Sequence, residues 1–185
     1  MNHLEITDLG FGIKAIKRQP LGDERGSLTR LFCADELASA GWTKPIVQIN
    51  GVENKFRGTV RGLHYQAASF AESKILLCMQ GEINDVVVDI RKGSKTFLQH
   101  VSVRLSGAKG NGILIPAGFA HGYQCLTDDV SLLYFHDAHH APEAERGLNV
   151  RDPRLKIAWP LPVENLSKRD MGHDFIDDKF EGEVV

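Results

Sequence analysis

The strongest constraint on the fold is an alternation of side chains with a period of two. Within residues 97–105, Val101, Val103 and Leu105 fall on alternate positions, and the residues between them are mostly polar. Within residues 82–91, apolar side chains again recur at every second position. Because successive residues of a β-strand point to opposite faces, this spacing predicts strands that are packed against a core.

Further short apolar segments share this character and are separated by turn-forming residues. The predicted strands are residues 28–32, 45–50, 74–79, 112–115, 123–126 and 130–136. Helix signals are few: residues 34–40, closed by Gly41, and a segment that Ser167 opens in the form of a capping box. We therefore predict an all-β fold, a sandwich or barrel with a few short peripheral helices.

Length and composition indicate a single domain over residues 1–185, with no internal repeat and no linker. A hydrophobic content of 42% is enough to bury a core without metal or disulfide staples. Residues 176–185 are mostly polar, and we expect this C-terminal tail to be loosely ordered.

Charge, cysteine usage and apolar runs exclude several classes of protein. The net charge of −2 gives no reason to expect binding to nucleic acid or to an anionic membrane. The 3 cysteines are widely spaced and form no Cys-x-x-Cys motif, which suits a reducing cytoplasm. No secretory signal opens the sequence, and no apolar run reaches the roughly 18 residues of a membrane span. We expect a cytoplasmic protein.

The stretch from Val60 to Gln66 concentrates polar functional groups in one strand-length segment. On a regular strand His64 and Gln66 point to one face, whereas Arg61 and Tyr65 point to the other. A lone imidazole between apolar neighbours has two interpretations. It is either a core histidine satisfied by a nearby acceptor or part of a functional site, and the strand alone leaves both open.

A second informative stretch covers residues 110–122, where a strand ends in a Pro-x-Gly turn and the chain delivers His121 to the next strand. Its spacing resembles the second signature motif of the cupin barrels, and Gly58 followed by five residues and His64 resembles the start of the first motif. Metal-binding cupins have His-x-His there, but this chain has Gln66 at the second position. Because divalent transition metals usually need three or more histidine or carboxylate ligands, we predict no metal.

A series of different short motifs follows along the chain between about residue 9 and about residue 171. They are Gly22-Asp23-Glu24-Arg25-Gly26, Arg61-Gly62-Leu63-His64-Tyr65-Gln66, Gly81-Glu82 with residues 85–91, Pro116-Ala117-Gly118-Phe119-Ala120-His121-Gly122, and Asp152-Pro153 with Trp159-Pro160. In this order they resemble the dTDP-4-dehydrorhamnose 3,5-epimerase family. The resemblance implies a cupin-type jelly roll without metal or cofactor, usually a homodimer. It also implies an isomerase that inverts C3, C5 or both in a nucleotide-diphosphate-4-keto-6-deoxyhexose, in deoxysugar (rhamnose-type) and polysaccharide biosynthesis.

In that chemistry the C4 ketone makes the protons on C3 and C5 weakly acidic, because the carbanion delocalises into an enolate. By the resemblance His64 is the general base, a role that suits an imidazole because its usual pKa lies near neutral pH. The family's partner aspartate matches Asp170 in the stretch 166–170. The same carboxylate, at the third position of a capping box, is otherwise a helix cap, so the pattern alone leaves two roles for Asp170.

The resemblance gives further roles to three side chains. Tyr134 matches the tyrosine that reprotonates the opposite face, although a tyrosine in an apolar run is by itself more typical of a core. Lys74 matches the lysine near the enolate oxygen, although a lone lysine at the start of a strand is usually solvated. His121 is a further candidate donor to that oxygen.

The resemblance also places side chains around the nucleotide and the sugar. Guanidinium groups suit a diphosphate because they are permanently charged and forked. The substrate-binding residues by this match are Arg25, Gln48, Asn50, Arg61, His121, Glu145 and Arg169. Arg61 and His64 have opposite strand parity, so both reach one pocket only if the strand bends or Arg61 reaches in from an edge. We predict a bend at Gly62.

A few positions depart from the family pattern near the nucleoside. Arg30 stands where a glutamate is usual, Phe135 where a lysine often follows the catalytic tyrosine, and His139-His140 where a Tyr-Tyr pair is usual. CDP, GDP and UDP therefore stay open beside dTDP, as does the inversion of one centre or both. Two rival classes also stay open: a metal-dependent cupin and a non-catalytic sugar-binding cupin.

Overall fold

The computed structural model describes residues 3–185 and confirms the all-β prediction. In this part of the chain the strands are β1 (Leu4–Gly10), β2 (Ile13–Arg18), β3 (Leu21–Asp23), β4 (Gly26–Leu28), β5 (Gln48–Asn54), β6 (Val60–Gln66), β7 (Lys74–Gln80), β8 (Glu82–Asp89), β9 (His100–Ser106), β10 (Asn111–Ile115), β11 (Phe119–Cys125), β12 (Val130–His136) and β13 (Glu145–Gly147). The helices of the same range are α1 (Ala34–Ala38), α2 (Lys168–Met171) and a 3₁₀ turn at Ala68–Phe70. None of them is long and apolar enough to cross a membrane.

The strands form two facing sheets and one separate hairpin. The six-stranded sheet has the order β1-β2-β10-β7-β12-β5, the five-stranded sheet the order β13-β6-β11-β8-β9, and β3 pairs with β4. Most neighbours in space are distant in sequence, and the pairs that join them are antiparallel. In this arrangement β6, which carries His64, lies in the five-stranded sheet, and β12, which carries Tyr134, lies in the six-stranded sheet.

The space between the sheets is filled by inward side chains of the central strands. Leu76 and Leu132 from the six-stranded sheet pack with Val87, Phe119 and Tyr123 from the five-stranded sheet. All of them are buried. This burial is the reason for the period-two alternation, because only every second residue of each strand faces the other sheet.

Other parts of the chain cover the outer faces of the two sheets. On the six-stranded sheet, Leu37 of α1 packs in one cluster with Leu77 and Phe135. On the five-stranded sheet, Leu166 and Phe180 of the C-terminal segment pack against the cluster formed by the outward side chains of β6, β8 and β11. The C-terminal segment thereby brings α2 onto β6.

The last residues of the chain make defined contacts. The rings of Phe97 and Phe180 stack with centroids 5.9 Å apart, and Arg91 forms a parallel bridge with Glu183. The loose order of the tail from about residue 176, and the single domain over residues 1–185, stay predictions.

Some boundaries inferred from the sequence are wrong. The strand predicted over residues 28–32 ends at Leu28, because Leu31 and Phe32 pack with the cluster around α1 and not in a sheet. The strand predicted over residues 45–50 begins later and continues to Asn54. The predicted helix over residues 34–40 is confirmed, although its regular part ends at Ala38.

Candidate active site

A bulge in β6 brings Arg61 and His64 to the same side of the sheet. On the neighbouring strand β11, His64 pairs with His121 and Arg61 pairs with Tyr123, so the interval 61–64 is matched by the shorter interval 121–123. Directly opposed residues of antiparallel strands share a face. Arg61 and His64 therefore lie on the same face as Tyr123, which points into the space between the two sheets. The bend predicted at Gly62 is confirmed.

Glycine is required on both strands at this bulge. Gly62 has a φ of +129°, and a Cβ there would lie 2.6 Å from Cα of Gly122. A Cβ on Gly122 would in turn lie 2.6 Å from the carbonyl oxygen of Arg61. The two backbones are thus in direct contact, which a side chain on either residue would prevent.

His64 is paired with Asp170 of α2. Nε2 of His64 lies 2.7 Å from Oδ1 of Asp170, and the two side chains are 26% and 3% exposed. The N–H of Gly62 donates to Oδ2 of Asp170 at 3.4 Å. The helix is capped by a different group, because the N–H of Asp170 donates to Oγ of Ser167 at 3.0 Å. Capping and pairing therefore coexist, and the carboxylate is left for the histidine.

The hydrogen bonds of this pair decide where its protons lie. Burial by itself raises the pKa of Asp170, but the hydrogen bond and the charge of His64 outweigh it and lower the pKa below its usual range. An ionised carboxylate at 2.7 Å requires a hydrogen on Nε2 of His64, so Nδ1 is the nitrogen that can accept a proton. Nη2 of Arg169 lies 3.2 Å from the same Nε2. Because this nitrogen already carries a hydrogen, it cannot accept a hydrogen bond from Arg169, and the contact is only an electrostatic one.

A second histidine–aspartate pair lies deeper on the same face. Nε2 of His121 lies 2.7 Å from Oδ1 of Asp85, and the side chains are 4% and 0% exposed. Oδ2 of Asp85 has no hydrogen-bond partner within residues 3–185. The ring of His121 makes an edge-to-face contact with the ring of Tyr134, with centroids 5.9 Å apart. His121 therefore connects the face of His64 with the opposite sheet.

Tyr134 extends from β12 in that opposite sheet, where its Cα partner on β5 is Asn50. Its ring packs against the cluster between the sheets. Burial raises the pKa of Tyr134 well above its usual value, and the neighbouring Tyr123 and Asp85 raise it further. The phenol therefore keeps its proton at neutral pH. With His64 on one sheet and Tyr134 on the other, a base and an acid face the same interior from two sides.

Lys74 is buried, so its interpretation as a solvated lysine at a strand start is wrong. Its Nζ lies 3.1 Å from Oε1 of Glu72, and Nδ1 of His136 lies 2.8 Å from Oε2 of the same carboxylate. Burial by itself raises the pKa of Glu72, but Lys74 and His136 together lower it to about 2. His136 also stacks on Tyr134 with centroids 5.7 Å apart. These contacts place a Lys74–Glu72–His136 cluster beside the phenol.

A cavity of about 360 Å³ opens in front of the His64–Asp170 pair. Arg61 and Arg169 lie in its lining. Nη1 of Arg169 lies 2.8 Å from Oε1 of Glu145, which is opposite Gln66 in the β13–β6 register. Two guanidinium groups beside one cavity can bind an anion such as a diphosphate.

Gln48 and Asn50 lie on the other side of the interior, on the edge strand β5 next to β12. Oε1 of Gln48 accepts from the N–H of His140 at 3.3 Å. Nδ2 of Asn50 lies 3.5 Å from Nε2 of His136 and can donate to it, because Nδ1 of that ring donates to Glu72. The structure therefore groups Gln48 and Asn50 with Tyr134.

Arg25 is not brought together with the other predicted residues of its own chain. It lies on the β3–β4 hairpin and pairs with Asp23 at 2.6 Å. The hairpin is exposed along its length. The role of Arg25 stays a prediction.

Gln66, at the position where a metal-binding cupin has its second histidine, is buried and has structural partners. Oε1 of Gln66 accepts from the N–H of Ala141 at 2.6 Å, and Nε2 donates to the carbonyl of Phe70 at 2.9 Å. The amide holds two loops together and is not directed at a ligand.

Several residues in the site or next to it were missed by sequence reasoning. Asp85 is a charge in the run of valines of β8, and His136 has the same strand parity as Tyr134, so period-two spacing could have identified both. Glu72 and His173 come from irregular segments, where no spacing rule applies. Nε2 of His173 is buried and has no hydrogen-bond partner in the described part of the chain, and burial lowers the pKa of this ring.

Comparison with known proteins gives consistent matches over nearly the whole chain. Residues 9–178 match the family model described as dTDP-4-dehydrorhamnose 3,5-epimerase. The chain is 38% identical over 158 residues to the dTDP-4-dehydrorhamnose 3,5-epimerase of Shigella flexneri, covering 84% of this chain and 87% of that protein. It is 36% identical over 150 residues to the dTDP-4-dehydro-6-deoxyglucose 3-epimerase of Streptomyces bikiniensis, covering 80% and 76%. The crystal structure of dTDP-6-deoxy-D-glucose-3,5-epimerase from Legionella pneumophila in complex with dTDP-4-keto-L-rhamnose matches with a TM-score of 0.90 at 35% identity, covering 99% of this chain and 100% of that chain.

Proposed function

The chain belongs to the dTDP-4-dehydrorhamnose 3,5-epimerase family, and from this membership we propose that it inverts C3, C5 or both in a nucleotide-diphosphate-4-keto-6-deoxyhexose. The resemblance of the sequence motifs to this family is confirmed, as are the cupin-type jelly-roll fold and the isomerase class. The observation that carries the proposal for this chain is the His64–Asp170 pair on one sheet with Tyr134 on the facing sheet.

The reaction begins at His64. Nδ1 takes the proton from the carbon beside the ketone, and the electron pair of the C–H bond moves into an enolate whose oxygen becomes negative. Asp170 stabilises the imidazolium through the Nε2–H bond of 2.7 Å. A positioned base of this kind contributes about 10²–10⁴ in rate.

Lys74 and His121 are the proposed donors to the enolate oxygen. His121 would donate through Nδ1 when both ring nitrogens carry a hydrogen, because its Nε2–H is directed at Asp85. Both are buried, where a donor interacts more strongly with a developing charge than it does in water. Glu72 holds Lys74 at 3.1 Å, and Asp85 holds His121 at 2.7 Å, so neither donor has to reorganise when the charge forms. Removing one preorganised donor typically costs roughly 3–4 kcal/mol.

Tyr134 completes the inversion by returning a proton from the other side. Its raised pKa keeps the hydroxyl protonated until a carbanion is present. Because the phenol comes from the sheet opposite to that of the base, the proton arrives on the opposite face of the carbon. The imidazolium of His64 then releases its proton to water and the phenolate of Tyr134 gains one from water, so both residues return to their starting forms.

The nucleotide is proposed to extend from the same interior. Arg61 and Arg169 bind the diphosphate at the cavity, with Glu145 orienting Arg169 at 2.8 Å. Gln48 and Asn50 contact the base and ribose on the β5 side. The family to which the chain belongs favours a dTDP-linked sugar in a rhamnose-type deoxysugar pathway.

Two of the departures from the family pattern, Arg30 and His140, make ion-pair contacts. Arg30 is paired with Glu36, whose second oxygen accepts from the N–H groups of His3 and Leu4 at 2.8 Å, so this arginine has a structural role. His140 lies 3.5 Å from Glu145, close to the proposed diphosphate site. His140 is therefore the departure to examine if a nucleotide other than dTDP is preferred.

Inversion of C3 alone is the second candidate function, because the chain is also similar to a 3-epimerase. A metal-dependent cupin is not favoured, since the Gln66 amide is occupied with two loops. A non-catalytic sugar-binding cupin is not favoured either, since the proposed base has an ionised partner and a free Nδ1.

We further propose a cytoplasmic homodimer. Leu21 and Leu28 on the β3–β4 hairpin are 52% and 71% exposed, and Ile49 on the edge strand β5 is exposed as well. A second copy that covers this surface removes apolar area from water and gives Arg25 a cavity to reach. Light scattering on the purified protein should give the mass of two chains; a monomer at micromolar concentration would contradict the dimer.

Solvent exchange tests the proposed reaction directly. Incubation of dTDP-4-keto-6-deoxyglucose with the protein in D₂O should introduce deuterium at C3 and C5, or at C3 alone for a mono-epimerase, as read by NMR. His64→Ala should abolish exchange at every centre. His100→Ala on β9, away from the cavity, is the matched control and should exchange normally. Normal exchange by the His64→Ala protein would reject the assignment.

A further inference from the structure

Potential metal ligands converge beside the cavity. The ligand atoms of His64, Asp170 and His173 all lie within 4.8 Å of one another. His64 comes from β6, Asp170 from α2, and His173 from the segment that directly follows α2. No other group of this kind is found in residues 3–185.

The position of the His173 ring is not explained by any hydrogen bond of its Nε2 atom. Its Nε2 is buried and has no partner in the described chain. Such an unpaired buried polar atom costs about 1–3 kcal/mol. The ring fits against Gly147, where a Cβ would lie 2.2 Å from Nε2, and its centroid is 6.3 Å from that of His64. A buried nitrogen therefore lies next to the His64–Asp170 pair with nothing to bind.

The ligand set selects a class of ion. Two imidazoles and one carboxylate suit Zn²⁺ and its first-row neighbours, whereas Mg²⁺ and Ca²⁺ prefer oxygen ligands alone. Metal–ligand bonds of about 2.0–2.2 Å place the ligand atoms of one ion roughly 3–4 Å apart, so a small rotation of the His173 ring completes the set. His64 and Asp170 line the cavity of about 360 Å³, so a water molecule from it can take the fourth position.

We propose that His64, Asp170 and His173 bind Zn²⁺ and that the bound ion inhibits the enzyme. The ion takes the lone pair of Nε2 on His64, so the single proton of the neutral ring moves to Nδ1, and no proton is gained or lost. Nδ1 then has no lone pair for the substrate proton. Only the inhibition rests on the proposed function; the binding of the ion does not.

Arg169 opposes the ion. Its Nη2 lies 3.2 Å from Nε2 of His64, so it must turn away when a cation binds. Its other contacts are with Glu145 at 2.8 Å and with Oδ1 of Asp170 at 3.7 Å. The side chain is half-exposed, so it can turn toward solvent and give up the contact with Asp170 to the ion. This repulsion makes the ion removable by a chelator, in contrast to a structural zinc.

Binding is measured on the full-length protein after treatment with EDTA and dialysis. Titration with ZnCl₂ in a calorimeter should show one ion per chain, and MgCl₂ should give no binding. His173→Gln should weaken zinc binding at least tenfold. His100→Gln, a histidine on β9 outside the cluster, is the matched control and should bind as the wild type does.

Activity and NMR complete the test. Zinc should lower the rate of deuterium exchange at least tenfold, EDTA should restore it, and the His173→Gln protein should stay active in zinc. If that variant does not fold, ¹H–¹⁵N spectra of the wild-type imidazoles decide, because the ring nitrogens of His64 and His173 should both shift on zinc addition.

Three outcomes have distinct meanings. Undiminished zinc binding by folded His173→Gln, or shifts in neither ring, would overturn the site. Zinc bound with full activity would overturn the inhibition. A protein that binds zinc through these residues but has no epimerase activity without zinc would support the site and contradict the proposed function.

Discussion

The His64–Asp170 and His121–Asp85 pairs have the same chemistry and the same distance but different surroundings. Each joins Nε2 to a carboxylate oxygen at 2.7 Å. His64 opens onto the cavity with 26% of its side chain exposed, whereas His121 is 4% exposed and lies behind it. The first ring is accessible to solvent and to a ligand in the cavity, whereas the second is enclosed with its Nε2 directed at Asp85. Access, and not the pair itself, decides which histidine acts as the base.

A third pair extends this comparison to the facing sheet. His136 shares the Glu72 carboxylate with Lys74, so this carboxylate has a lysine as well as a histidine for a partner. The interior is thus lined by histidine–carboxylate pairs on both sheets, and their order of exposure gives an order of expected effects.

The largest effect is expected on the rate when the open pair is broken. His64→Gln should lower deuterium exchange by about 10²–10⁴, because the proposed base is lost. His121→Gln should lower it less, since Lys74 still faces the enolate oxygen. Exchange rates of the two variants measured side by side test this; a larger loss in His121→Gln would reverse the roles assigned to the two rings.

The largest effect on stability is expected when the closed pair is broken. His121→Ala leaves the carboxylate of Asp85, which is 0% exposed, without its partner, and removing one member of a buried pair typically costs about 3–5 kcal/mol. His64→Ala should cost less, because Asp170 keeps the N–H of Gly62 and gains access to water from the cavity. Urea unfolding of both variants measures the difference. Equal losses would show that exposure does not separate the pairs.

The third pair should give the protein a distinct sensitivity to acid. The pKa of Glu72 is about 2 in the folded state and about 4.3 in an unfolded chain, so its stabilisation is complete above about pH 4.5 and is lost as pH falls toward 2. The contribution is on the order of 3 kcal/mol. Unfolding free energies of wild type and Glu72→Gln should converge over this window. A constant difference down to pH 2 would contradict the ionised carboxylate.

The smallest of these effects concerns the bulge that turns His64 toward the cavity. Gly62→Ala should cost roughly 2 kcal/mol and reduce exchange, because its Cβ meets the backbone of Gly122 at a positive φ. Gly51→Ala on β5 is the control, since a Cβ there meets nothing within 4 Å. Thermal melting and exchange rates follow both. Full stability and activity in Gly62→Ala would show that the bulge is not needed.

Much of the fold was predictable because apolar side chains alternate along β8 and β9 wherever every second residue is buried between the sheets. The bend at Gly62 was also predictable, since Arg61 and His64 could share a pocket only through an irregular strand. The strand expected over residues 28–32 failed for a physical reason: apolar side chains such as Leu31 and Phe32 pack equally well against a helix. Strand β13 left no pattern because it has only 3 residues.

The candidate site was predictable in part, and mostly through the family resemblance. Residue patterns alone could not decide between a cap and a partner for Asp170, because the backbone N–H does one and the carboxylate the other. Glu72 and His173 lie in irregular segments whose positions depend on the whole fold. The contacts of such loop residues cannot be predicted from the sequence, because nothing local in the chain specifies what they face.

The distance along the chain between the two members of the open pair has a consequence for biosynthesis. Asp170 is translated 106 residues after His64, and it lies on a segment that packs on the outer face of the five-stranded sheet. A nascent polypeptide halted before residue 170 can assemble most of the sandwich but carries an imidazole with no counter-charge. In the proposed mechanism, the base therefore acquires its partner only after the segment that carries Asp170 has been synthesised and has docked.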